Sequence, residues 1–278
     1  MVMLEAATAT DPGRERTMNE DRVWAQIYQP SEGIPVGLFI VCDGIGGHLG
    51  GECASHWAVE SIKRDLSSLF CPADPRQTML LSKQELEAYQ AGVEITRQSA
   101  LIQLERLVHR AVQRANQVVY EYAQKKPEDA GNAGTTVSMA VVQDNGLVVA
   151  NVGDSRTYLF RSGKMRQITQ DHSVVASLVA SGQIKSNEIF SHPQRNLIYR
   201  SLGQKSKVKV DIYTEIIFSG DYLLLCTDGL WEMVRDEEVL GDLIRNSKNL
   251  QHACRLLVEA ANNAGGSDNI GVVLVRIS

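Results

Sequence analysis

The sequence predicts an α+β fold built on antiparallel β-sheets. Short apolar runs of strand length recur along the chain, and most of them follow one another without a helical pattern between them. Asp144-Asn-Gly and Ser162-Gly separate neighbouring runs, and such turns accept the positive φ of a tight hairpin. The order is strands, two helices, many strands, two helices and a strand, which lacks the βαβ alternation of a parallel sheet.

The first half of the chain supplies two strands and two long helices. We predict strands at residues 23–28 and 36–42, and a second long helix at residues 101–124. Residues 71–98 form an elaborated polar connection between the two helices. The first helix follows a glycine-rich segment, and its inner stripe comprises Ala54, Ala58, Ile62, Leu66 and Leu69.

The second half begins with short strands separated by turns. We predict strands at residues 135–142, 147–152, 157–160, 164–168, 208–213, 222–225 and 271–276. Helices are predicted at residues 174–181, 236–244 and 250–261. Residues 182–203 form an irregular segment. Because no internal repeat or linker divides the chain, a single domain over residues 1–278 is expected.

Composition and charge exclude several classes of protein. A net charge of −5 and a pI near 5.7 argue against a nucleic-acid binder, which usually carries a basic face. No apolar run approaches the roughly 20 residues that span a bilayer, and the first residues lack the pattern of a signal peptide. The 5 cysteines form no CxxC pair, and Cys42 and Cys226 lie in strand-like runs. We therefore expect reduced thiols, a cytoplasmic protein and no membrane partner.

Acidic residues stand where apolar strands end. The three runs end at Asp43, Asp154 and Asp228, and glycine or serine follows each aspartate. Further acidic positions stand near the two chain ends, at Glu20, Asp21 and Asp268. Carboxylates that meet at one end of a sheet repel one another unless a cation lies between them. Oxygen ligands without a Cys or His cluster suit Mg²⁺ or Mn²⁺ better than zinc.

Other readings of these residues remain open. Each acidic site taken alone is also compatible with a simple turn or cap. Gly44-Ile-Gly-Gly completes no dinucleotide fingerprint, and the preceding aspartate would repel a pyrophosphate. No G-x-S-x-G elbow is present, and Cys42 and Cys226 lie beside carboxylates that disfavour a thiolate. A two-carboxylate glycosidase would not need so many acidic positions.

Taken together, the motifs resemble those of the type 2C metal-dependent serine/threonine protein phosphatases. In order, they are Arg16-x-x-x-Glu20-Asp21, Asp43-Gly-Ile-Gly-Gly-His48, Gly134-Thr-Thr, Asn151-Val-Gly-Asp-Ser-Arg156, Thr227-Asp-Gly-Leu-Trp231 and Ser267-Asp-Asn269. His192-Pro-Gln-Arg-Asn and Arg200-Ser-Leu-Gly resemble the bacterial branch in particular. The resemblance extends from about residue 8 to the last residue.

This resemblance implies a four-layer αββα sandwich with a two-metal centre at one end. The positions that match its metal ligands are Glu20, Asp21, Asp43, Gly44, Asp228 and Asp268. Asp43 is expected to bridge two Mg²⁺ or Mn²⁺ ions, and the Gly44 carbonyl to bind one of them. Asp154 matches a residue that holds a third, looser ion together with Asp228.

The resemblance also implies a mechanism. A hydroxide shared by the two ions attacks phosphorus directly, and Arg16 grips the phosphate through its planar fork. Arg16, Asp43 and Asp228 are therefore the expected catalytic residues. Animal members have histidine directly after Asp-Gly, whereas this chain has Ile45 there. His48 is a candidate proton donor; the alternatives are a polar residue that begins a helix and a metal-bound water that donates the proton.

Substrate and partners follow from the same resemblance. The expected substrates are phosphorylated proteins, including those of a bacterial serine/threonine kinase, and the expected state is a monomer. Residues 182–203 match the flap beside the active site, where Arg195 and Arg200 either contact the substrate or hold the flap in place. An alternative is a catalytically weak signalling module of the same fold that binds a kinase or phosphoprotein. A third reading is a phosphatase for small phosphorylated metabolites.

Overall fold

The structure is a computed structural model that describes residues 2–30, 33–46, 49–70, 97–125 and 133–278. Within these ranges it confirms the predicted α+β class. Two five-stranded antiparallel sheets pack face to face, and helices cover both outer faces. None of the described helices is long and apolar enough to cross a bilayer.

Twelve strands are described. They are β1 (Leu4–Asp11), β2 (Arg22–Tyr28), β3 (Val36–Cys42), β4 (Gly44–Ile45), β5 (Gly134–Thr135), β6 (Val137–Gln143), β7 (Gly146–Val152), β8 (Arg156–Arg161), β9 (Lys164–Gln167), β10 (Asp211–Ile216), β11 (Tyr222–Cys226) and β12 (Ile270–Ile277). One sheet has the order β10-β7-β6-β3-β2, and the other has the order β1-β12-β11-β8-β9. A two-stranded sheet, β4-β5, extends from the first.

The helices described are α1 (Leu49–Asp65), α2 (Arg97–Lys125), α3 (Val174–Ala180), α4 (Asp228–Trp231), α5 (Glu237–Arg245) and α6 (Leu250–Asn263). The pair α1 and α2 packs on the β2–β10 sheet, where the predicted stripe Ala54, Ala58, Ile62 and Leu66 is buried. Helices α4, α5 and α6 pack on the other sheet. A third apolar cluster fills the space between the sheets. These layers are the αββα order that the family resemblance implies.

Tight turns match the sequence prediction. Asp144 and Ser162 both adopt positive φ, at 56° and 52°, in the hairpins that join β6 to β7 and β8 to β9. Short polar residues tolerate this region better than β-branched ones. The turns keep sequential strands adjacent, so the first residues after β7 emerge at the same end of the sandwich as those after β3.

Some element boundaries differ from the predictions. Strand β1 was not predicted, because its alanine-rich sequence lacks a clear apolar alternation, and its pairing with β12 supplies the order. The strand predicted at residues 208–213 is Asp211–Ile216, since pairing with β7 sets its register. Leu69 belongs to a 3₁₀ turn (Ser67–Phe70) after α1. Of the predicted connection, residues 71–96 lie outside the described residues.

Candidate metal centre

Asp43 leaves the sandwich at a backbone position that is fixed on both sides. All seven residues of β3 are buried, and Asp43 follows directly. Its N–H donates to Thr136 Oγ1 at 2.9 Å, and its carbonyl oxygen accepts from the Thr136 N–H at 2.9 Å. The Thr135 hydroxyl donates to the same carbonyl at 2.8 Å. With its backbone groups satisfied by protein, Asp43 has only its carboxylate available for a ligand.

Gly44 lies where three backbone segments approach one another. A Cβ on Gly44 would be 2.4 Å from the Gly51 carbonyl oxygen and 2.8 Å from that of Glu20. A Cβ on Gly51 would in turn be 2.7 Å from Glu20 Oε2. The glycines therefore let the start of α1 pack against β4. This close approach is the physical reason for glycine at positions 44 and 51.

Asp228 and Asp154 each follow a strand, and the two strands belong to different sheets. Asp228 is the first residue of α4, directly beyond β11. Asp154 follows β7 and is buried. Gly153 before it adopts a φ of +111°, and a Cβ there would be 2.6 Å from Thr136. The tight turn thus packs Gly153, directly before Asp154, against Thr136, which hydrogen-bonds to the Asp43 backbone.

Asn269 ties the chain's N-terminal segment to the site. Its Oδ1 accepts from the Glu20 N–H at 2.7 Å, and its Nδ2 donates to the Pro12 and Met18 carbonyls, each at 2.9 Å. Its own N–H donates to Asp268 Oδ1 at 2.9 Å. This clamp positions Glu20 beside Asp268. In the sequence, Asn269 stands out only as part of the Ser267-Asp-Asn269 motif, since its partners are distant along the chain.

Most of the predicted site residues line one cavity of about 750 Å³. Its wall includes the predicted residues Arg16, Glu20, Asp43, Gly44, Asp154, Asp228 and Asp268. Arg16 Nη2 donates to Asp268 Oδ2 at 2.7 Å across this wall. Glu232 also lines the cavity and was missed, although its position four residues after Asp228 on the helical turn was a usable signal. His48 lies outside the described residues.

Asp21 is the predicted ligand that does not line the cavity. It is buried, and its Oδ2 accepts from the Thr227 hydroxyl at 2.7 Å. Its Oδ1 is also buried and has no hydrogen-bond partner. Burial, helped by the charges of Asp268 and Glu20, raises the pKa of Asp21 to about 7 against the Thr227 hydrogen bond. An unpartnered buried carboxylate oxygen is a position where a cation, a proton or an ordered water is needed.

Burial and the neighbouring negative charges raise the pKa values of the carboxylates in the site. Burial, and then the charges of Asp228 and Asp21, raise the pKa of Asp43 well above its ordinary value. Burial, and then Asp154 and Asp268, do the same for Asp228. The pKa of Asp154 is raised to about 7, first by burial and then by the charges of Asp171 and Glu232. Divalent cations would relieve this repulsion, and hard oxygen donors are what Mg²⁺ and Mn²⁺ bind.

This donor set fits divalent metals, but it is not a closed cage. Among the described residues, no group of three or more His, Cys, Asp or Glu side chains already surrounds a position for an ion. The shared cavity, the mutual effects on pKa and the orphaned Asp21 Oδ1 are the observations that favour metal binding.

The two arginines of the flap, residues 182–203, have different environments. Arg195 lines the cavity beside Asn196 and Ile198. Arg200 Nη1 instead donates to Asp211 Oδ1 at 2.9 Å, at the start of β10. Of the two roles that the sequence left open, Arg200 has the contacts of a residue that holds the flap. Arg195 faces the place where a substrate would lie.

Comparison with known proteins decides the family. The protein phosphatase 2C profile matches residues 14–261, which is most of the chain. The chain belongs to the protein phosphatase 2C family. A relative from Listeria welshimeri, the serine/threonine phosphatase stp, is 34% identical over 273 residues, which cover 98% of this chain and 96% of the relative.

Solved structures give the same placement within the protein phosphatase 2C family. The Mycobacterium tuberculosis serine/threonine phosphatase PstP/Ppp is 30% identical, with a TM-score of 0.77 and coverage of 99% of both chains. The catalytic domain of a PstP phosphatase, solved in complex with two manganese ions, is 27% identical with a TM-score of 0.78, covering 100% of this chain and 99% of that one. These relatives confirm both the predicted family and the predicted sandwich.

Proposed function

We propose that this chain hydrolyses phosphoserine and phosphothreonine in proteins with the help of bound divalent metals. The observation that carries the proposal is the acidic cavity, which brings Asp43, Asp228 and Asp268 together with Arg16. The relatives are serine/threonine phosphatases, which supports phosphoproteins as the substrate class. Bound metals would reverse the sign of the cavity, so that a dianionic phosphate becomes a suitable ligand.

The chain's residues divide the chemical work. Asp43, Asp228, Asp268 and Glu20, with the Gly44 carbonyl, are proposed to hold the metals, and Asp21 to support them from beneath the cavity. Two such ions supply a nucleophile at neutral pH by lowering the pKa of water, and they neutralise charge on the phosphoryl group. Arg16 would bind two phosphate oxygens through its fork, which a lysine cannot imitate. The geometry excludes Cys42 and Cys226 as nucleophiles, since both are fully buried.

The number and kind of ions belong to the proposal. Mg²⁺ and Mn²⁺ both fit carboxylate and carbonyl oxygens. The relative solved with two manganese ions supports a two-ion site in this chain. A third ion at Asp154 and Asp228 is proposed from their shared cavity and from the raised pKa of both carboxyls. His48 stays a candidate proton donor.

We also propose the setting in which the enzyme works. All residues from 1 to 278 would form one catalytic domain, since β1 near one end pairs with β12 near the other. Its substrates would include the targets of a serine/threonine kinase, and the enzyme would act as a monomer. The thiols of Cys42, Cys226 and Cys254 are buried and free among the described cysteines, which supports a reducing compartment such as the cytoplasm.

The competing proposal is a weak or inactive module that binds phosphoproteins. The acidic wall argues against it, because buried like charges cost stability that a pure binding module has no reason to retain. Calorimetry separates the two: the module predicts phosphoprotein binding without divalent binding. A metabolite phosphatase is separated by comparing phosphopeptide and phosphometabolite turnover.

The direct test is hydrolysis of a phosphothreonine peptide with Mn²⁺ and again with EDTA. We expect turnover only with the metal. Asp43→Asn should lower kcat/KM by more than the roughly 10- to 100-fold that outer-shell changes cost at metal sites. The matched control is Asp242→Asn, an aspartate on α5 whose side chain is 59% exposed and is not part of the cavity wall. Metal-independent turnover, or an Asp43→Asn variant with the control's rate, would refute the proposal.

A further inference from the structure

Trp231 links the backbones of the two residues proposed to hold the outer ion. Its indole Nε1 donates to the Asp154 carbonyl oxygen at 3.0 Å, and the side chain is buried. Asp228 begins the same short helix three residues earlier. The indole therefore spans from the helix that carries Asp228 to the backbone of Asp154. One side chain thus fixes the spacing between two residues that are 74 positions apart in the chain.

A buried cation, the Arg156 guanidinium, packs against the face of the Trp231 indole. The Arg156 guanidinium carbon lies 3.5 Å from the centroid of the Trp231 ring. Asp171 holds that guanidinium through two atoms, with Nε–Oδ1 at 3.0 Å and Nη2–Oδ2 at 2.7 Å. Arg156 Nη1 also donates to the Tyr158 hydroxyl at 3.0 Å. With all three partners buried, the indole plane has little freedom to tilt.

The flap contacts the same indole. Phe190, in the flap's 3₁₀ turn (Ser186–Ser191), stacks on Trp231 with ring centroids 6.4 Å apart at 55°. Arg235, one turn beyond Trp231, lies with its guanidinium carbon 4.6 Å from the Phe190 ring centroid. Tilted aromatic pairs at such distances are attractive. The flap therefore packs, through Phe190, against Trp231, the residue that links Asp154 to the helix of Asp228.

We propose that Trp231 is a positioning residue that sets the Asp154–Asp228 spacing for the outer ion and links it to the seating of the flap through Phe190. The inference rests on the proposed function, because it takes Asp154 and Asp228 as ligands. Binding of the outer ion and seating of the flap are then coupled through Trp231. If binding of the ion changes the affinity for the phosphoprotein, the phosphoprotein changes the affinity for the ion by the same factor.

The first test measures Mn²⁺ binding by calorimetry in two variants. Trp231→Phe keeps a ring for Phe190 but removes the N–H donor. We expect the weakest Mn²⁺ site to lose roughly 10-fold in affinity, the scale of an outer-shell loss, while the tighter sites change little. Phe190→Ala should weaken the same site less and raise KM for the peptide more than it lowers kcat. The double variant should be non-additive for the weakest site, which only coupled residues show.

Trp57→Phe is the matched control, since Trp57 is 42% exposed on α1. Its Mn²⁺ isotherm should equal that of the wild type. A Trp231→Phe isotherm that also equals the wild type refutes the inference alone, provided the wild type binds Mn²⁺. A wild type that binds no divalent ion refutes the proposed function and the inference together. Additive single variants refute the link to the flap.

A second measurement uses the wild-type chain, so that its result does not depend on whether a variant folds. The chain has 3 tryptophans, so 5-fluorotryptophan labelling gives three ¹⁹F signals that Trp24→Phe and Trp57→Phe assign. During a Mg²⁺ titration, the Trp231 signal should shift with the last binding event, and the Trp57 signal should not move. The inference is overturned if the Trp231 signal stops shifting before the last ion binds, or if it never shifts.

Discussion

Arg16 forms the ion pair in the wall of the acidic cavity that a phosphate would have to replace. Its Nη2 lies 2.7 Å from Asp268 Oδ2, and both side chains are partly exposed. Asp268, through hydrogen bonding and charge, raises the pKa of Arg16, so the guanidinium stays charged. A cation bound at Asp268 would compete for the same carboxylate. We therefore expect metal binding at Asp268 to release Arg16 for the substrate.

Replacing Arg16 tests this dual role. Arg16→Lys keeps the charge but loses the planar fork, so at least one charge-assisted hydrogen bond to phosphate is lost. Such bonds contribute about 1.5–3 kcal/mol, which corresponds to a roughly 10- to 100-fold lower kcat/KM. Steady-state kinetics on a phosphopeptide measure it. Arg14→Lys, an exposed arginine two residues away whose side chain does not line the cavity, is the control and should behave as wild type.

At the scale of elements, hydroxyl pairs hold the two sheets together at the end that carries the site. Thr136 Oγ1 lies 2.7 Å from Ser155 Oγ, and Ser138 Oγ lies 2.7 Å from Thr157 Oγ1. Both pairs are buried and connect the β6 segment to the β8 segment. Only Thr136 also accepts from the Asp43 N–H. Thr136 Oγ1 therefore connects the Asp43 backbone to Ser155 across the two sheets.

The two hydroxyl pairs form a matched experiment. Thr136→Val and Ser138→Ala each remove one buried pair, and each should cost on the order of 1–3 kcal/mol in the free energy of unfolding, measured in urea. Only Thr136→Val leaves the Asp43 N–H without its partner. We therefore expect Mn²⁺ affinity and turnover to fall in Thr136→Val and to hold in Ser138→Ala. Equal Mn²⁺ affinities in the two variants would contradict the role assigned to Thr136.

Local patterns predicted elements well where the pattern was strong. Strand β3 was predicted at its observed bounds because its seven residues form an uninterrupted apolar run. By contrast, β1 depends on a partner some 260 residues away, and α4 has only four residues, too short for a helical period. The polar contacts of Asn269 and Trp231 were equally hidden. They follow from the packing of distant segments, which one-dimensional spacing does not encode.

At the scale of the whole molecule, the metal-free protein is stabilised by protons. The pKa values of Asp21 and Asp154 are raised to about 7, and those of Asp43 and Asp228 are also raised. In the unfolded chain these groups titrate near pH 4. Between pH 4 and 7 the folded, metal-free state thus binds more protons than the unfolded state. By linkage, its stability falls as pH rises through that window.

Unfolding experiments with and without metal test this sign. In EDTA, we expect the urea midpoint to be higher at pH 5.5 than at pH 7.5, by an amount that corresponds to roughly 2 kcal/mol per group with a pKa near 7. Excess Mn²⁺ should stabilise more at pH 7.5 than at pH 5.5, because protons compete for the ligands. Asp21→Asn should reduce the pH dependence measured in EDTA. A metal-free midpoint that rises with pH would contradict the assignment.

The convergence of the acidic residues was predictable, but their arrangement was not. The strand-ending positions of Asp43, Asp154 and Asp228 indicated one end of a sheet, and the structure brings all three to one cavity. That Asp21 lies beneath the cavity depends on the hydroxyl of Thr227 and the packing of β12. No pattern in the sequence ranks the carboxylates by depth. Their roles as ligands stay predictions until metal binding is measured.

The position of β12 between β1 and β11 has a consequence for biosynthesis. A ribosome completes β1 at residue 11 but reaches β12 only at residue 270, after Asp268. At about 5–20 residues per second, β1 waits roughly a quarter of a minute to a minute for its neighbour. During that interval the nascent chain lacks both a central strand and the Asn269 clamp. The cavity that Asp268 and Asn269 line is thus completed last, and we expect a chain released before residue 268 to lack it.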